Sequence, residues 1–325
     1  MDADKFSWKD RKVFLTGASG FVGSGLLARL AHEGAVVTAL VTPGSRSLRL
    51  PASGNVRVAE AFVEDAEAVG KSLREAGADT VFHLAAINTN VGTNVSPLNI
   101  FETNIRGTWN VLEACRVTRG VERVVLASSR EAETEALAWG NPDQPRSNRK
   151  FRPYQVSKIS AELVAHAYCD TFDLPVVISR SDNIYGGGDL NWNRLIPSAC
   201  RALLEGKAPV LRSDGSLARD YVYVADMVEA YLTLAALARD PGITGEVFHF
   251  ATGTGTTALE IVSQLCELAG NPDLKPVVLN ESREERINEP RDISRPLNLL
   301  GWSSGTQMQD GLQKTFDWYR EFLLN

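Results

Sequence analysis

Tyr154 and Lys158 stand four residues apart in the segment YQVSK, a spacing that places both side chains on one face of a helix. A tyrosine hydroxyl has an ordinary pKa of about 10 and is a poor base at neutral pH. A neighbouring ammonium group stabilises the phenolate and lowers that pKa. The pair is therefore a candidate base that takes a proton from an alcohol while the alcohol is oxidised.

Polar side chains of catalytic potential also follow a strand-like run, RVVL (123–126), in the stretch ASSREAET. A hydroxyl of Ser128 or Ser129 could order the substrate oxygen that the tyrosine deprotonates. Arg130 cannot act as a general acid near neutral pH, because its guanidinium keeps its proton. Glu131 could abstract or return a proton, and it could equally be a loop carboxylate paired with Arg130.

The segment TGASGFVG, residues 16–23, has the spacing of a phosphate-binding turn between a strand and a helix. Gly17 permits the tight turn, Gly20 lets the backbone approach a pyrophosphate, and Gly23 allows close packing of the helix on the strand. The amino terminus of the helix offers N–H groups and a positive dipole end to the phosphates. We therefore expect this turn to bind a dinucleotide, whose nicotinamide would accept the hydride of the oxidised alcohol.

The adenosine ribose of such a cofactor is commonly held by an acidic residue about 20 residues further on. This chain has LVTPGSRS in that region instead. Thr42 and Ser45 offer hydroxyl groups, and Arg46 could bind a 2′-phosphate or lie in solvent. We expect NAD as the cofactor, with NADP left open by this stretch.

Short apolar strands alternate with amphipathic helices through the first half of the chain. The strand-like runs are KVFL (12–15), AVVTALV (35–41), NVRVA (55–59), TVFHLAA (80–86), RVVLASS (123–129) and PVVISR (175–180). This alternation predicts an α/β fold with a doubly wound parallel sheet of the Rossmann type. We assign residues 1–181, rejoined by 222–252, to a dinucleotide-binding domain, and 182–221 with 253–325 to a smaller, interleaved C-terminal substrate lobe.

Composition argues against several other classes of protein. The 325 residues carry a formal charge of −6, which disfavours a general role in binding nucleic acid. No apolar run is long enough to span a membrane, and the charged amino terminus lacks the core of a signal peptide, so we expect a cytoplasmic protein. The four cysteines and four histidines are scattered, which predicts neither disulfides nor a metal site.

Several motifs in order along the chain resemble those of the extended short-chain dehydrogenases/reductases, and among them the NAD(P)-dependent nucleotide-sugar epimerases and dehydratases. Besides TGASGFVG, the serines and YQVSK, they are VFHLAA (81–86), Asn104 with GTWNVLEA, NIYGGG (183–188), ARDYVYVADMVEAY (218–231) and DISRPLNLLGW (292–302). The resemblance extends over about residues 8–322. Within this group, FSWKDRKVFLTG, residues 181–212 and TFDWYREF look most like CDP-glucose 4,6-dehydratases.

The resemblance implies a role for each matching residue. Tyr154 would be the base, Lys158 its partner, and Ser129 the hydroxyl that orders the substrate oxygen. The cofactor would be bound by Gly17, Ser19, Gly20, Phe21, Val22, Gly23, Thr42, Arg46, Phe62, Val63, Leu84, Ala85, Ala86, Asn104, Tyr154 and Lys158. A nucleotide-diphosphate sugar would be bound by Arg130, Asn183, Arg194, Leu195, Ile196, Arg219 and Arg283, with Arg219 and Arg283 on its diphosphate.

Two positions depart from the pattern of the family. Relatives often have an acid that meets the adenine amine at a position where this chain has Phe62, with Asp65 slightly beyond it. Dehydratases have an aspartate, which protonates the departing C6 oxygen, where this chain has Arg130. Since general-acid help is worth roughly 10²–10⁴-fold, its absence favours an epimerase that acts through a 4-keto intermediate.

The alternatives are a 4,6-dehydratase in which Glu131 or another group replaces the acid, a uronate decarboxylase, and a non-catalytic cofactor-binding homologue. The resemblance also implies a homodimer, formed by the helix after Asn104 and the helix that bears Tyr154 packing against their copies.

Overall fold

The structure, a computed structural model, describes residues 6–45, 53–88, 95–132, 151–270, 274–281 and 292–324. These residues form two compact units. Unit 1 comprises the described residues of Met1–Thr89, Thr93–Ser181 and Val228–His249, and unit 2 those of Asp182–Met227 and Phe250–Asn325. The chain therefore leaves unit 1 after Ser181, returns to it at Val228 and leaves it again after His249.

Unit 1 is built on a seven-stranded sheet. Its strands are β1 (Lys12–Thr16), β2 (Val36–Val41), β3 (Val56–Glu60), β4 (Thr80–His83), β5 (Arg123–Ala127), β6 (Val176–Ser181) and a later strand, Val247–Phe250, which is β11 in chain order. The strand order is β11-β6-β5-β4-β1-β2-β3. The ladders that join β1 to β6 are parallel, so the predicted doubly wound Rossmann-type sheet is confirmed.

Helices on the sheet bury its apolar side chains. The helices of this region are α1 (Phe21–His32), α2 (Ala66–Ala76), α3 (Pro97–Phe101), α4 (Gly107–Val117) and α5 (Pro153–Phe172), with a π-helical segment, Glu102–Arg106, between α3 and α4. One apolar cluster joins Phe14 of β1 and Val81 of β4 to Leu73 of α2 and Leu112 of α4. Continuous apolar strands of this kind are expected where both faces of a parallel sheet are covered.

Two strands end earlier than their apolar runs suggested. β4 ends at His83 and β5 at Ala127, whereas the runs TVFHLAA and RVVLASS continue to residues 86 and 129. Thr16 is paired with His83, and His83 with Leu126, so β1, β4 and β5 end side by side. The residues that follow β4 and β5 therefore emerge at the carboxyl edge of the sheet, where doubly wound folds bind ligands.

Unit 2 contains short strand pairs and helices. The pairs are β7 (Asn183–Tyr185) with β10 (Tyr221–Tyr223), β8 (Val210–Leu211) with β13 (Val277–Val278), and β9 (Ala218–Arg219) with β12 (Thr256–Thr257). The helices are α6 (Leu195–Leu204), the start of α7 (Val224–Leu237), α8 (Ala258–Leu268), α9 (Ser294–Leu300) and α10 (Met308–Leu324). Its core gathers Tyr185, Ile196, Leu265 and Tyr319 among other buried side chains.

Among the described residues, no helix is both long and apolar enough to cross a bilayer. The same part of the chain holds no group of three or more His, Cys, Asp or Glu side chains suited to a metal ion.

Gly23 and Gly17 make the turn after β1 possible. Gly17 has a φ of 71°, and a β-carbon there would lie 2.7 Å from the backbone nitrogen of Ala85. A β-carbon on Gly23 would overlap the carbonyl oxygen of Gly17. The first turn of α1 can therefore lie directly against the end of β1 only because neither residue has a side chain.

Gly23→Ala should lower the free energy of unfolding by about 1–3 kcal/mol, the usual cost of overpacking, and displace the turn. Denaturant unfolding followed by circular dichroism measures this change. Gly54→Ala is the matched control, since a β-carbon at Gly54 would meet nothing within 4 Å. Equal stability of the two variants would contradict the tight packing at Gly23.

Candidate active site

The glycine-rich turn presents backbone to the carboxyl edge of the sheet. Gly20 lies at the amino terminus of α1, and its N–H donates to the Gly17 carbonyl at 2.9 Å. No side chain caps this end of α1. A helix terminus with an exposed glycine and no capping side chain fits a diphosphate, because its N–H groups can donate to an anion that approaches closely.

A chain of buried hydrogen bonds supports the adjoining wall after β4. His83 Nδ1 lies 2.8 Å from Thr16 Oγ1, and His83 Nε2 lies 3.1 Å from Thr108 Oγ1. Thr108 donates its own proton to the Asn104 carbonyl at 2.6 Å, so its oxygen accepts from Nε2–H. We therefore assign His83 as neutral with its proton on Nε2. Burial, followed by the charge of Lys158, lowers the pKa of His83 to about 3.

Asn104 joins the wall after β4 to the helix that bears Tyr154. Its Oδ1 accepts from Ile87 N–H at 2.7 Å, and its Nδ2 donates to Ile87 O at 3.0 Å and to Ser157 Oγ at 2.9 Å. Ser157 in turn donates to the Tyr154 carbonyl at 2.7 Å. Asn104 lies within the π-helical segment, a local widening that often occurs at functional sites. Asn104 is buried and positions other groups.

Tyr154 and Lys158 lie on the buried face of α5. Pro153 occupies the first turn, where its missing N–H costs no hydrogen bond, and the Gln155 side chain accepts from Arg152 N–H at 3.1 Å. Tyr154 and Lys158 are 8% and 6% exposed, and Lys158 Nζ donates to the Ala127 carbonyl at 2.8 Å. Burial lowers the pKa of Lys158 to about 8, and the charge of Glu162 opposes that shift. At neutral pH the ammonium form therefore still dominates.

The two serines after β5 have different partners. Ser128 is buried, and its hydroxyl donates to the carboxylate of Glu162. Ser129 Oγ accepts from Glu131 N–H at 3.3 Å, and this bond leaves the hydroxyl proton of Ser129 available for another acceptor. Of the two hydroxyls, Ser129 is therefore better placed to meet a substrate oxygen.

Arg130 and Glu131 follow Ser129 at the edge of the sheet. Arg130 N–H donates to the Ser181 carbonyl at 3.1 Å, which extends the pairing of β5 with β6 beyond Ala127. Both residues are half-buried, and Arg130 makes a further interaction within the protein. Glu131 lies at the start of a helical turn, where a carboxylate is favoured by the helix dipole.

The other predicted cofactor residues lie along the same edge or near it. Ser19, Phe21 and Val22 are half-buried in the glycine-rich turn, Leu84 and Ala85 are half-buried after β4, and Ala86 is exposed. Thr42 is exposed after β2. Phe62 is 53% exposed, whereas Val63 is buried against Gly107. Asp65 caps α2 by accepting from Ala68 N–H, and Arg46 lies outside the described residues.

The predicted substrate residues of unit 2 lie near its first strands and α6. Asn183 of β7 donates from Nδ2 to the Asp220 carbonyl at 3.0 Å. Arg219, the residue before Asp220, is half-buried on β9. Arg194 donates to Asp189 at 3.1 Å just before α6. Leu195 is half-buried and Ile196 is 3% exposed in the core of unit 2. Arg283 lies outside the described residues.

Sequence reasoning missed the side chains that support these groups. They are Thr16, Thr108, Ser157, Glu162 and Arg180. Glu162 could have been suspected, because it lies four residues after Lys158 on the buried face of the same helix. The others carry no local signal, since their partners are distant in sequence.

Comparison with known proteins identifies the family of this chain. The profile of the NAD dependent epimerase/dehydratase family matches residues 13–249. The chain belongs to this family.

Individual relatives cover nearly the whole chain. It is 29% identical to a trifunctional UDP-glucose 4,6-dehydratase/UDP-4-keto-6-deoxy-D-glucose 3,5-epimerase/UDP-4-keto-L-rhamnose-reductase of Arabidopsis thaliana over 98% of its own length, but spans only 48% of that protein. It is also 29% identical to a UDP-glucose 4-epimerase of Mycolicibacterium smegmatis, over 95% of this chain and 98% of the relative. The Bordetella bronchiseptica enzyme WbmF, solved with NAD+, is 25% identical with a TM-score of 0.82, covering 98% of this chain and 95% of that one.

The burial of neutral His83 predicts a specific loss of stability in acid. The unfolded chain takes up a proton on this histidine below about pH 6.5, whereas the folded protein does so only near pH 3. Stability should therefore fall as pH decreases through this window, by about 2 kcal/mol between pH 6.5 and 5 from this group alone.

His83→Gln should weaken this pH dependence while lowering stability at pH 7, because it disturbs the bonds to Thr16 and Thr108. Unfolding free energies measured in denaturant at several pH values provide the comparison. A variant with the full acid-induced loss of the wild-type protein would exclude His83 as its source.

Proposed function

We propose that this chain is an NAD-dependent epimerase of a nucleotide-diphosphate sugar that acts through a 4-keto intermediate, with a UDP-hexose as the first substrate to test. The observation that carries the proposal is the buried Tyr154–Lys158 pair beside the edge that also presents the glycine-rich turn. Membership of an epimerase/dehydratase family and the similarity to a UDP-glucose 4-epimerase over both full lengths support it.

NAD fits the residues at this edge. The backbone around Gly20 would hold its diphosphate, and Lys158 would hold the nicotinamide ribose. When bound, the nicotinamide supplies a hydride acceptor and donor. The NAD+ bound to WbmF supports this choice of cofactor over NADP.

Tyr154 would act as the base that takes the proton from the sugar hydroxyl. The ammonium of Lys158 would stabilise the phenolate form of Tyr154. Its bond to the Ala127 carbonyl fixes the position of the ammonium. Ser129 would donate to the sugar oxygen, and Tyr154 would return the proton when the ketone is reduced on its other face. Lys158 loses its charge above about pH 8, so activity should decline on the alkaline side of that value.

In the same proposal, residues of unit 2 and Arg283 would bind the nucleotide and the diphosphate of the nucleotide sugar. Arg219 and Arg283 would bind the diphosphate, since guanidinium groups match its oxygens in paired hydrogen bonds. Asn183, Arg194, Leu195 and Ile196 would contribute to the nucleotide side, with Ile196 acting from the core.

A 4,6-dehydratase is the second candidate, supported by the plant relative. Elimination of water from C5 and C6 needs a proton donor at the leaving oxygen. Arg130 cannot supply that proton, so Glu131, half-buried at the start of its helical turn, would have to do so. The epimerase needs no such acid and is therefore preferred.

Incubation of the NAD-loaded protein with UDP-, dTDP-, CDP- and GDP-hexoses in deuterated water separates the two reactions. The proposal predicts an isomer of unchanged mass, identified by chromatography. A product lighter by one water that carries one deuterium would show dehydration instead. Failure to convert any of the sugars would remove the support for an enzymatic role.

Tyr154→Phe should lower turnover by at least about 10²-fold, because it removes the base, while NAD binding is retained. Tyr168→Phe is the matched control: Tyr168 lies on the same helix, and its hydroxyl donates to Glu113 at 3.1 Å. Equal loss of turnover in both variants, or unchanged turnover in Tyr154→Phe, would contradict the assigned role.

We also propose a cytoplasmic homodimer. Unit 1 exposes apolar side chains on three helices that pack together: Leu98 on α3 (64%), Trp109 on α4 (42%) and Leu163 on α5 (54%). Exposed apolar side chains on neighbouring helices are candidates for burial in a protein interface. Four free cysteines, three of them buried, fit a reducing compartment.

Leu163→Glu should convert the dimer to a monomer, because it would bury an unpaired charge at the interface. Light scattering after size exclusion measures the mass. Leu323→Glu, at an exposed leucine of α10, is the control for added charge. A monomeric wild-type protein, or a variant that remains dimeric, would exclude this surface.

A further inference from the structure

A buried carboxylate, Glu162, lies one helical turn beyond Lys158. Its residue is 5% exposed. Arg180 of β6 donates to it from Nε at 2.8 Å and from Nη2 at 2.5 Å, and the Ser128 hydroxyl donates to the same carboxylate. Paired guanidinium–carboxylate bonds are short, directional and charge-assisted. The carboxylate is therefore held in one place.

The cluster joins the elements that position Lys158. Ser128 is the residue after Ala127, whose carbonyl accepts from Lys158 Nζ. Ser128 N–H also donates to the Ser179 carbonyl at 2.7 Å, next to Arg180. The end of β5, the strand β6 and the helix α5 are thus fixed together at the point where the ammonium is anchored.

Lys158 needs a nearby negative charge because it is buried. Desolvation disfavours its ammonium form, and the carbonyl of Ala127 offers only a dipole. Glu162 lies on the same helical face and opposes the effect of desolvation. Two titratable groups interact electrostatically with the ammonium: His83 of β4 and Glu162 of α5. Tyr154 lies one turn before Lys158 on the same helix, and Arg180 of β6 contacts Glu162.

We propose that the Ser128–Glu162–Arg180 cluster is a positioning device for the proposed catalytic pair: Glu162 supplies the negative charge that keeps Lys158 as an ammonium ion, while Arg180 and Ser128 hold its carboxylate. The inference rests on the proposed function for its catalytic meaning. The electrostatic link between Glu162 and Lys158 exists whatever the substrate is.

The cluster also gives Ser128 a role distinct from the one its place in the sequence suggested. A hydroxyl that donates to a buried carboxylate has no second proton for a substrate oxygen. Ser128 therefore acts on Glu162, and Ser129 is the hydroxyl that remains for the sugar.

The direct test is the titration of Lys158 by ¹³C NMR on protein labelled at lysine Cε, with the resonance assigned from Lys158→Arg. In the wild-type protein we expect a pKa of about 8. Glu162→Gln should lower it by about one pKa unit, because a neighbouring opposite charge is lost. Glu162→Asp, which keeps the charge, should restore most of the wild-type value.

Glu113→Gln is the matched control. Glu113 also accepts from an arginine, Arg116, at 2.7 and 2.6 Å and from a hydroxyl, that of Tyr168, but its side chain is 45% exposed. This variant should leave the Lys158 titration unchanged. Should Glu162→Gln fail to fold, Glu162→Gln with Arg180→Gln removes both members of the ion pair, which is better tolerated than removing one. The double variant should show a smaller lowering of the Lys158 pKa, because the repulsion from Arg180 is removed together with the attraction of Glu162.

Turnover provides the second readout. If a nucleotide sugar is a substrate, the alkaline limb of the kcat/KM profile should move to lower pH by the same one unit in Glu162→Gln, a change that a purely structural role would not produce. A Lys158 pKa in folded Glu162→Gln or in the double variant equal to that of wild type would overturn the inference. Absence of turnover in the wild-type protein, with the expected shift in the titration, would overturn the proposed function alone.

Discussion

The buried ammonium of Lys158 is the constraint on which the candidate site depends. A cation this far from water must find acceptors and opposite charge within the protein, or it gives up its proton. Here the carbonyl of Ala127 and the carboxylate of Glu162 meet that requirement, and Arg180 holds that carboxylate in place. The same ammonium lies close enough to His83 to help keep that histidine neutral. The charge states of His83 and Lys158 therefore depend on each other, and that of Lys158 depends on Glu162.

Backbone geometry makes this arrangement possible. β1, β4 and β5 end side by side, so the glycine-rich turn, the wall from Leu84 to Ile87 and the serines after β5 share one edge. Asn104 joins the wall after β4 to α5 through its hydrogen bonds to Ile87 and Ser157. Two of its three side-chain bonds hold Ile87 and the third holds Ser157, so an apolar replacement would remove all three.

Periodicity and the glycine spacing were enough to predict the parallel sheet, its strand-to-helix alternation and the turn that fits a diphosphate. The placement of Tyr154 and Lys158 on one face of α5 also followed from their spacing, whereas the burial of that face is seen only in the structure. The support for that pair did not, because Glu162, Arg180 and Ser128 meet across 18 to 34 positions of the chain. The two serines looked equivalent in sequence, and only their partners distinguish them. The end of β4 at His83 likewise could not be predicted from its apolar run, because it coincides with the pairing of His83 with Thr16, the last residue of β1.

The most direct measurement of the central claim, that a sugar hydroxyl at C4 is oxidised and re-reduced at the Tyr154–Lys158 pair, uses UDP-glucose carrying deuterium at C4. The proposed chemistry predicts a C4 epimer that keeps the deuterium at C4, formed more slowly than from unlabelled substrate. Loss of that deuterium to solvent, or an epimer inverted at another carbon with no isotope effect from C4, would contradict it.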